Sequence, residues 1–217
     1  MNDPRLTQWE TLFERALVLI DDAQRLGLPV QDWTFGGGTV LMRRHHHRLS
    51  KDVDIFINDP QFISYLTPRL NHVAESLTRD YIEEHDYIKL IFPEGEIDFV
   101  AAPSITTAPT TREEILGRPF LVETSAEIIA KKIWHRGDSF KGRDIFDTAM
   151  VAEREPGELS QIAPILEGRR DVILARIEKH GDSLREEFTA LDVLDYRRSY
   201  DECVEVVRRV LAPINTK

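Results

Sequence analysis

The chain has 217 residues, 41% of them hydrophobic, which is enough to bury a core without disulfide or metal staples. Its formal net charge of -10 excludes a protein whose whole surface grips nucleic acid, because phosphate binding draws on clustered Lys and Arg. No run approaches the ~20 apolar residues of a membrane span, Met1-Asn2-Asp3-Pro4 lacks the regions of a signal peptide, and the lone Cys203 has no partner for an internal disulfide, so a cytoplasmic protein with no membrane partner is expected.

Asp3 ahead of Pro4 reads as a cap and first turn, and Leu6, Trp9, Leu12, Phe13, Leu17 and Ile20 then recur at helical spacing until Gly27-Leu28-Pro29. A short strand at 33–35 ends in Gly36-Gly37-Gly38-Thr39, after which Val40-Leu41-Met42 opens a second helix. The β-branched run 53–57 reads as a largely buried strand, and Asn58-Asp59-Pro60 turns the chain into a helix over 62–77. Residues 87–92 and 96–100 read as a hairpin around Pro93-Glu94-Gly95. From Thr124 the pattern is helical: 126–135, 142–153, two or three more through Leu191, and a last helix over about 196–211 that packs Cys203. The expectation is an α+β protein, a core at 1–123 and a helical domain at 124–217.

The chemistry-bearing unit is a glycine turn after a strand, then Asp52-x-Asp54 entering the next strand, then Asp98 in a hairpin strand. Glycines let backbone approach a phosphate, and the helix N-terminus behind them offers unpaired N–H groups. Residues two apart on a strand share a face, which sets Asp52 and Asp54 side by side. Three carboxylates on one face repel one another, and a divalent cation relieves that. Mg²⁺ takes a few carboxylates plus substrate phosphates, and two ions together serve both the attacking and the leaving oxygen. Asp54, flanked by Val53, Ile55, Phe56 and Ile57, is costly as an idle acid.

Gly37-Gly38-Thr39, Arg48-x-Ser50-x-Asp52-x-Asp54, Ile97-Asp98, Ala130-x-Lys132 and Arg143-Asp144-x-x-Asp147 together resemble the AbiEii/AbiGii (Men-type) nucleotidyltransferase toxins, over about residues 33 to 150. The resemblance implies a polymerase-beta-like mixed sheet flanked by helices, with a helical C-terminal half. It makes Asp52 and Asp54 metal ligands and Gly37, Gly38 and Thr39 the phosphate cradle, with Arg48 and Ser50 supporting that loop or touching phosphate. Asp98 completes the metal site or draws the proton from the acceptor hydroxyl. Lys132 reaches the triphosphate and Asp144 orients Lys132 or the acceptor. Asp147 is as readily a surface partner of Arg143. The implied activity moves a nucleoside monophosphate from an NTP to an acceptor, tRNA in the first place. The implied cofactor is Mg²⁺, as two ions with NTP bound, and the implied partner is a cognate antitoxin of a toxin–antitoxin or phage-defence pair.

Two rival readings keep the fold. One changes the acceptor to a protein hydroxyl or a small antibiotic, which the acidic balance fits; the other is a non-catalytic nucleotide-binding protein. Two basic runs, residues 43–48 and the span from Lys131 through His135, Arg136 and Lys141 to Arg143, are expected to flank the site if the acceptor is RNA. Adjacent His45, His46 and His47 point in different directions and suit solvent or phosphate better than zinc. Trp33 and Trp134 are expected to pack rather than stack on bases.

Overall fold

The computed structural model describes residues 3–27 and 33–212. Met1 and Asn2, read above for a leader, and Leu28 and Pro29, read as part of a helix stop, lie outside the described residues. The chain divides into two compact units. The first comprises Met1–Arg44, Leu49–Ser104 and Thr110–Glu123, and the second His45–Arg48, Ile105–Pro109 and Thr124–Lys217.

The first unit opens with Asp3, whose carboxylate accepts from the Arg5 N–H, and then α1 (Gln8–Arg25). Trp9, Leu12, Phe13, Ala16, Leu17, Leu19, Ile20 and Ala23 make one buried stripe along it. Gly27, at φ +77, ends the turn with its N–H on Gln24. There follow β1 (Trp33–Gly36), α2 (Gly37–His45), β2 (Val53–Ile57), α3 (His72–Leu77), β3 (Tyr81–Glu83), β4 (Tyr87–Phe92), β5 (Gly95–Ala101), β6 (Thr110–Ile115) and β7 (Arg118–Glu123). Among the described residues the strands form one mixed seven-stranded sheet in the order β3-β4-β5-β2-β1-β7-β6, the class expected from the sequence.

Alternation along the strands sorts the sheet into two faces. Val53, Ile55, Ile57, Ile88, Leu90, Phe92, Ile97 and Phe99 are buried, while Asp54, Phe56, Lys89, Glu96 and Asp98 hold the intervening, partly exposed positions. Phe13 of α1 anchors an aromatic cluster with Phe35 (ring centroids 4.6 Å apart), Phe120 (5.3 Å) and Trp33 (6.4 Å).

Three expectations need correction. The helix over 62–77 is instead a 3-10 turn, Pro60–Tyr65, followed by the short α3. Pro68 carries no N–H and biases Thr67 away from helix, and Asn71 restarts the helix by accepting from Val73 and Ala74 at 2.8 and 3.1 Å. The β6–β7 hairpin was not anticipated, nor was β3. Its turn residues Leu116 and Gly117 both have positive φ (50° and 72°), and a Leu in the first of those positions hides the usual Asn-Gly or Asp-Gly signal. The last helix begins at Tyr200, not near 196, where Ser199 and Glu202 form a capping box.

The second unit carries α4 (Ser125–Arg136), α5 (Gly142–Arg154), α6 (Ala163–Lys179), α7 (Gly181–Thr189) and α8 (Tyr200–Val210). Thr124 caps α4 by accepting from the Glu127 N–H. Phe146 on α5 meets Phe188 and Tyr196 edge-on at 5.4 and 5.2 Å. The stretch His45–Arg48 is tied in by backbone bonds from Leu194 N–H to the His47 carbonyl and from Asp195 N–H to the His46 carbonyl, both 2.9 Å. Cys203 is fully buried on α8, as expected, and burial pushes its thiol up to about 12.

Phe13→Ala would empty the centre of the α1 aromatic cluster and cost about 3–5 kcal/mol of stability. Chemical denaturation checks this, and a loss under ~1 kcal/mol would show that the cluster does not hold α1 on the sheet.

Candidate active site

The partly exposed face of the first unit holds a row of charges set by strand register. Lys89 on β4 lies opposite Asp98 on β5, Asp98 opposite Asp54 on the parallel β2, and Asp54 opposite Gly36 on β1. Two like charges therefore face each other across adjacent strands, where side chains of a cross-strand pair start only ~5 Å apart. Burial, and next the charge of Asp54, push the Asp98 carboxyl up to about 6, although Lys89 pulls the other way. Asp98 Oδ1 is buried without a hydrogen bond. The Lys89 Nζ lies 3.2 Å from the Asp98 carboxylate and also contacts Glu96. Burial works against the Lys89 ammonium, but Glu96 and Asp98 outweigh it and raise its pKa.

Gly37 stands at the start of α2 with φ +74, a conformation L side chains rarely adopt. A Cβ there would overlap the Asp54 carboxylate, so glycine is required by backbone and by neighbour alike. The first turn of α2, whose N–H groups have no partners within the helix, thus brings the positive end of its dipole up to Asp54. Gly38 and Thr39 are buried in the same turn, and the Thr39 hydroxyl bonds the Asp52 carbonyl and lies 3.1 Å from the Ser50 hydroxyl. Ser50 also donates its N–H to Met42 Sδ. Thr39 and Ser50 therefore brace the turn leading into β2.

Asp52 stands just ahead of β2. Its Oδ1 accepts from the Glu96 N–H at 3.1 Å. Among the described residues no three His, Cys, Asp or Glu side chains converge as a ready cage for a metal ion. The chemistry of the donor set still fits Mg²⁺, which commonly takes one or two carboxylates and completes its shell with water and substrate phosphate. Asp54 and Asp98 supply two carboxylates in register, and Asp98 meets the cation of Lys89, which it shares with Glu96.

The remaining expected site residues lie in the second unit, around Asp147. Asp147 is fully buried and accepts from Arg48 Nε and Nη2 at 2.7 and 2.8 Å and from His47 Nε2 at 2.9 Å, with Lys132 Nζ at 3.1 Å. Lys132 also donates to Asp144 Oδ1 at 2.8 Å, while Asp144 Oδ2 accepts from the Lys141 N–H. Both acids lie below the usual carboxylate range although burial opposes it. Lys132 and then Arg136 hold Asp144 down, and Arg48 and Lys132 hold Asp147 far down. The reading of Asp147 as a surface partner of Arg143 is corrected: it is the hub of a buried network. Arg48, expected to support the loop or touch phosphate, grips that hub bidentately.

His46 is exposed, as expected, but His45, His47 and the arginines of the basic run are placed differently. His47 is buried and stacks on Phe146 at 5.9 Å, and burial lowers its pKa although Asp147 pulls the other way. His45 bonds Glu155, and Arg43 and Arg44 both pair with Glu113. These side chains meet carboxylates of their own unit instead of solvent or phosphate. Trp33 packs as expected, but Trp134 is 49% exposed, with the Arg169 guanidinium 4.8 Å over its ring. Lys89, Glu96 and the weight of Asp147 escaped the sequence reading. A two-residue hairpin turn at Pro93-Glu94 was the available signal for the first.

A family model described as nucleotidyl transferase AbiEii toxin, type IV TA system, matches residues 26–209. No curated protein matches the chain. Among solved structures the chain is similar to JHP933 from Helicobacter pylori, with 12% identity and a TM-score of 0.52 over 97% of this chain and 91% of that one. It is similar to the MenT4 nucleotidyltransferase toxin of Mycobacterium tuberculosis at 17% identity and TM-score 0.53, covering 96% and 83% of the two chains. The antibiotic-resistance factor ANT(2'')-Ia gives 17% identity and TM-score 0.51 over 79% and 96%. At these identities the likenesses are of fold.

Two outcomes test the geometry. Asp147→Asn leaves Arg48 and Lys132 short of their counter-charge inside the protein and should cost about 3–5 kcal/mol, seen as a marked fall in melting temperature; a melt unchanged from the native protein would remove the hub. Because the folded pKa of Asp98, about 6, lies above the ordinary 3.8, the folded state binds this proton more tightly and loses stability as pH rises through that window. In metal-free buffer Asp98→Asn should therefore raise the melting temperature by about 3 °C at pH 8, with the gain fading towards pH 4. An offset equal at both pH values would contradict the crowded-acid account.

Proposed function

Because the chain belongs to the AbiEii family of nucleotidyltransferase toxins, and is thus a nucleotidyl-transfer enzyme, we propose that it moves a nucleoside monophosphate from a Mg²⁺-bound nucleoside triphosphate onto tRNA, as the toxin of a pair with a cognate antitoxin. The observation that carries the reading is the register match of Asp54 with Asp98 beside the glycine-opened start of α2.

The chain's own residues divide the work. Asp54 and Asp98 hold the metal, and Asp52, anchored to the Glu96 backbone, completes the acidic set that the family resemblance implies. Gly37, Gly38 and Thr39 admit the triphosphate to the N–H groups of the first turn of α2, where an anion is favoured by both hydrogen bonds and dipole. Bound Mg²⁺, as two ions with NTP present, supplies charge neutralisation for the phosphates and orientation for the attacking hydroxyl. The acceptor oxygen forms a bond to the α-phosphorus as the bond to pyrophosphate breaks. The family resemblance implies that Lys132 serves as the point charge for the triphosphate, with Asp144 orienting it; Arg48 and Ser50 keep supporting roles, Arg48 through Asp147 and Ser50 through Thr39. The site of action is the cytoplasm, and among the described residues no helix is long and apolar enough to cross a membrane.

A second reading changes the acceptor to a protein hydroxyl or a small molecule. It is favoured by the commitment of Arg43 and Arg44 to Glu113 and of Arg48 to Asp147, which withdraws three cations from a run that would otherwise suit RNA. Incubation with each α-³²P-labelled NTP, Mg²⁺ and total tRNA separates the two. Label on RNA from the native protein, reduced at least ~100-fold by Asp54→Ala, is the expected result. Label on protein or on a small molecule alone would transfer the conclusion to the second reading, and no label on any acceptor would remove transfer by this site.

A further inference from the structure

The charge row contains one member that metal binding does not call for. Lys89 has its ammonium 3.2 Å from Asp98 and in contact with Glu96, on the same sheet face as Asp54. Strand alternation puts it there: Ile88, Leu90 and Phe92 point to the core, so Lys89 stands between them on the opposite face, and the hairpin register sets it across from Asp98. Its side chain is 23% exposed and that of Asp98 21%, so the pair is screened less than an ordinary surface ion pair. The Glu96 residue ties the arrangement together, because its side chain takes Lys89 while its N–H takes Asp52.

We propose that Lys89 is the protein's own counter-cation for the acidic face: it holds the Asp98 carboxylate when no divalent ion is present and gives that carboxylate up when one binds, so that it sets the metal affinity of the site. The inference rests on the reading of Asp54 and Asp98 as metal ligands. An ammonium and a divalent ion compete for the same carboxylate oxygens, and each repels the other at contact distance. Free metal alone therefore binds weakly, whereas a nucleoside triphosphate brings negative charge that offsets the repulsion. The lysine thereby favours entry of metal together with nucleotide over entry of metal alone. Glu96 gives the displaced ammonium a second carboxylate at the same place, so the exchange leaves no cation without a partner.

The competing role for Lys89 is a positioning one, in which it holds Asp98 in the geometry the metal needs. The two roles differ in sign: removing a competitor tightens metal binding, and removing a support weakens it. Generic charge is controlled by Lys51, an exposed lysine next to Asp52 that carries the same charge.

The test is calorimetric titration of Mn²⁺ into the full-length protein without nucleotide, for the native chain, Lys89→Met, Lys89→Gln, Lys89→Arg, Lys51→Met and Asp54→Asn. Lys89→Met should tighten Mn²⁺ roughly tenfold and Lys51→Met less than ~2-fold, since an exposed charge is screened by solvent. Lys89→Gln should follow Lys89→Met, and serves if the latter does not fold, while Lys89→Arg should stay near native. In metal-free melts Lys89→Met should unfold below the native protein, and saturating Mn²⁺ should close the gap. Affinity that is unchanged or weaker in Lys89→Met and Lys89→Gln, with native binding still abolished by Asp54→Asn, overturns the role of Lys89 alone. If the native protein and Asp54→Asn both fail to bind Mn²⁺, the metal-site reading falls and takes this inference with it.

Discussion

Asp54 and Asp98 sit opposite each other on neighbouring strands, and the spacing between those strands is set by backbone hydrogen bonds that do not respond to side-chain charge. The sheet holds two carboxylates together whether or not anything neutralises them. Slipping β2 by one residue would part them, but it would also turn Val53, Ile55 and Ile57 out of the apolar layer, and that layer is worth far more than the repulsion. Much of the local chemistry follows from this clamp. Position 37 must be glycine because Asp54 occupies the space a Cβ would need, and Lys89 and Glu96 gather on the same face because partial neutralisation is required there.

The second unit meets the same physical problem and solves it differently. Asp147 is more deeply buried than Asp98, yet its carboxyl is held far below the ordinary range while that of Asp98 rises to about 6. The difference lies in the cations each unit supplies. Arg48 closes on Asp147 bidentately, with Lys132 and His47 filling the remaining directions, so the acid is satisfied from within the protein. Asp98 has one lysine, Lys89, which it shares with Glu96. An acid left short of positive charge is the one with capacity for an added cation, and that contrast separates the ligand candidates from the structural hub more clearly than burial does.

What the sequence made legible follows the same physics. Periodicity located α1, β2, the β4–β5 hairpin and the C-terminal helices, because apolar burial writes itself into spacing. The glycine turn, Asp54 and Asp98 were visible because flexible or charged residues inside apolar runs need a reason. Register was not legible. Reading Pro93-Glu94-Gly95 as a three-residue turn pairs Phe92 with Glu96 and leaves Leu90 opposite Asp98; the observed two-residue turn pairs Phe92 with Gly95 and puts Lys89 there instead. A single residue of turn length thus concealed the counter-cation of the site. Asp147 was misjudged for a related reason. An i, i+4 partner is visible in a linear chain, whereas partners at positions 47, 48 and 132 come together only in the fold.

The same consideration limits what the basic run at 43–48 can do. A cation releases counterions to solution on meeting a phosphate only if its charge was solvent-facing beforehand. Arg43 and Arg44 share Glu113, and Arg48 is closed on Asp147, so binding phosphate through them would first require breaking pairs that are half-buried or buried. An exposed cation such as Lys51 faces solvent already and meets a phosphate without that cost. An RNA acceptor held in this way would touch few phosphates. Its affinity would depend only shallowly on salt, and recognition would rest on shape more than on charge, which is consistent with a nucleotidyltransferase that carries a net charge of -10.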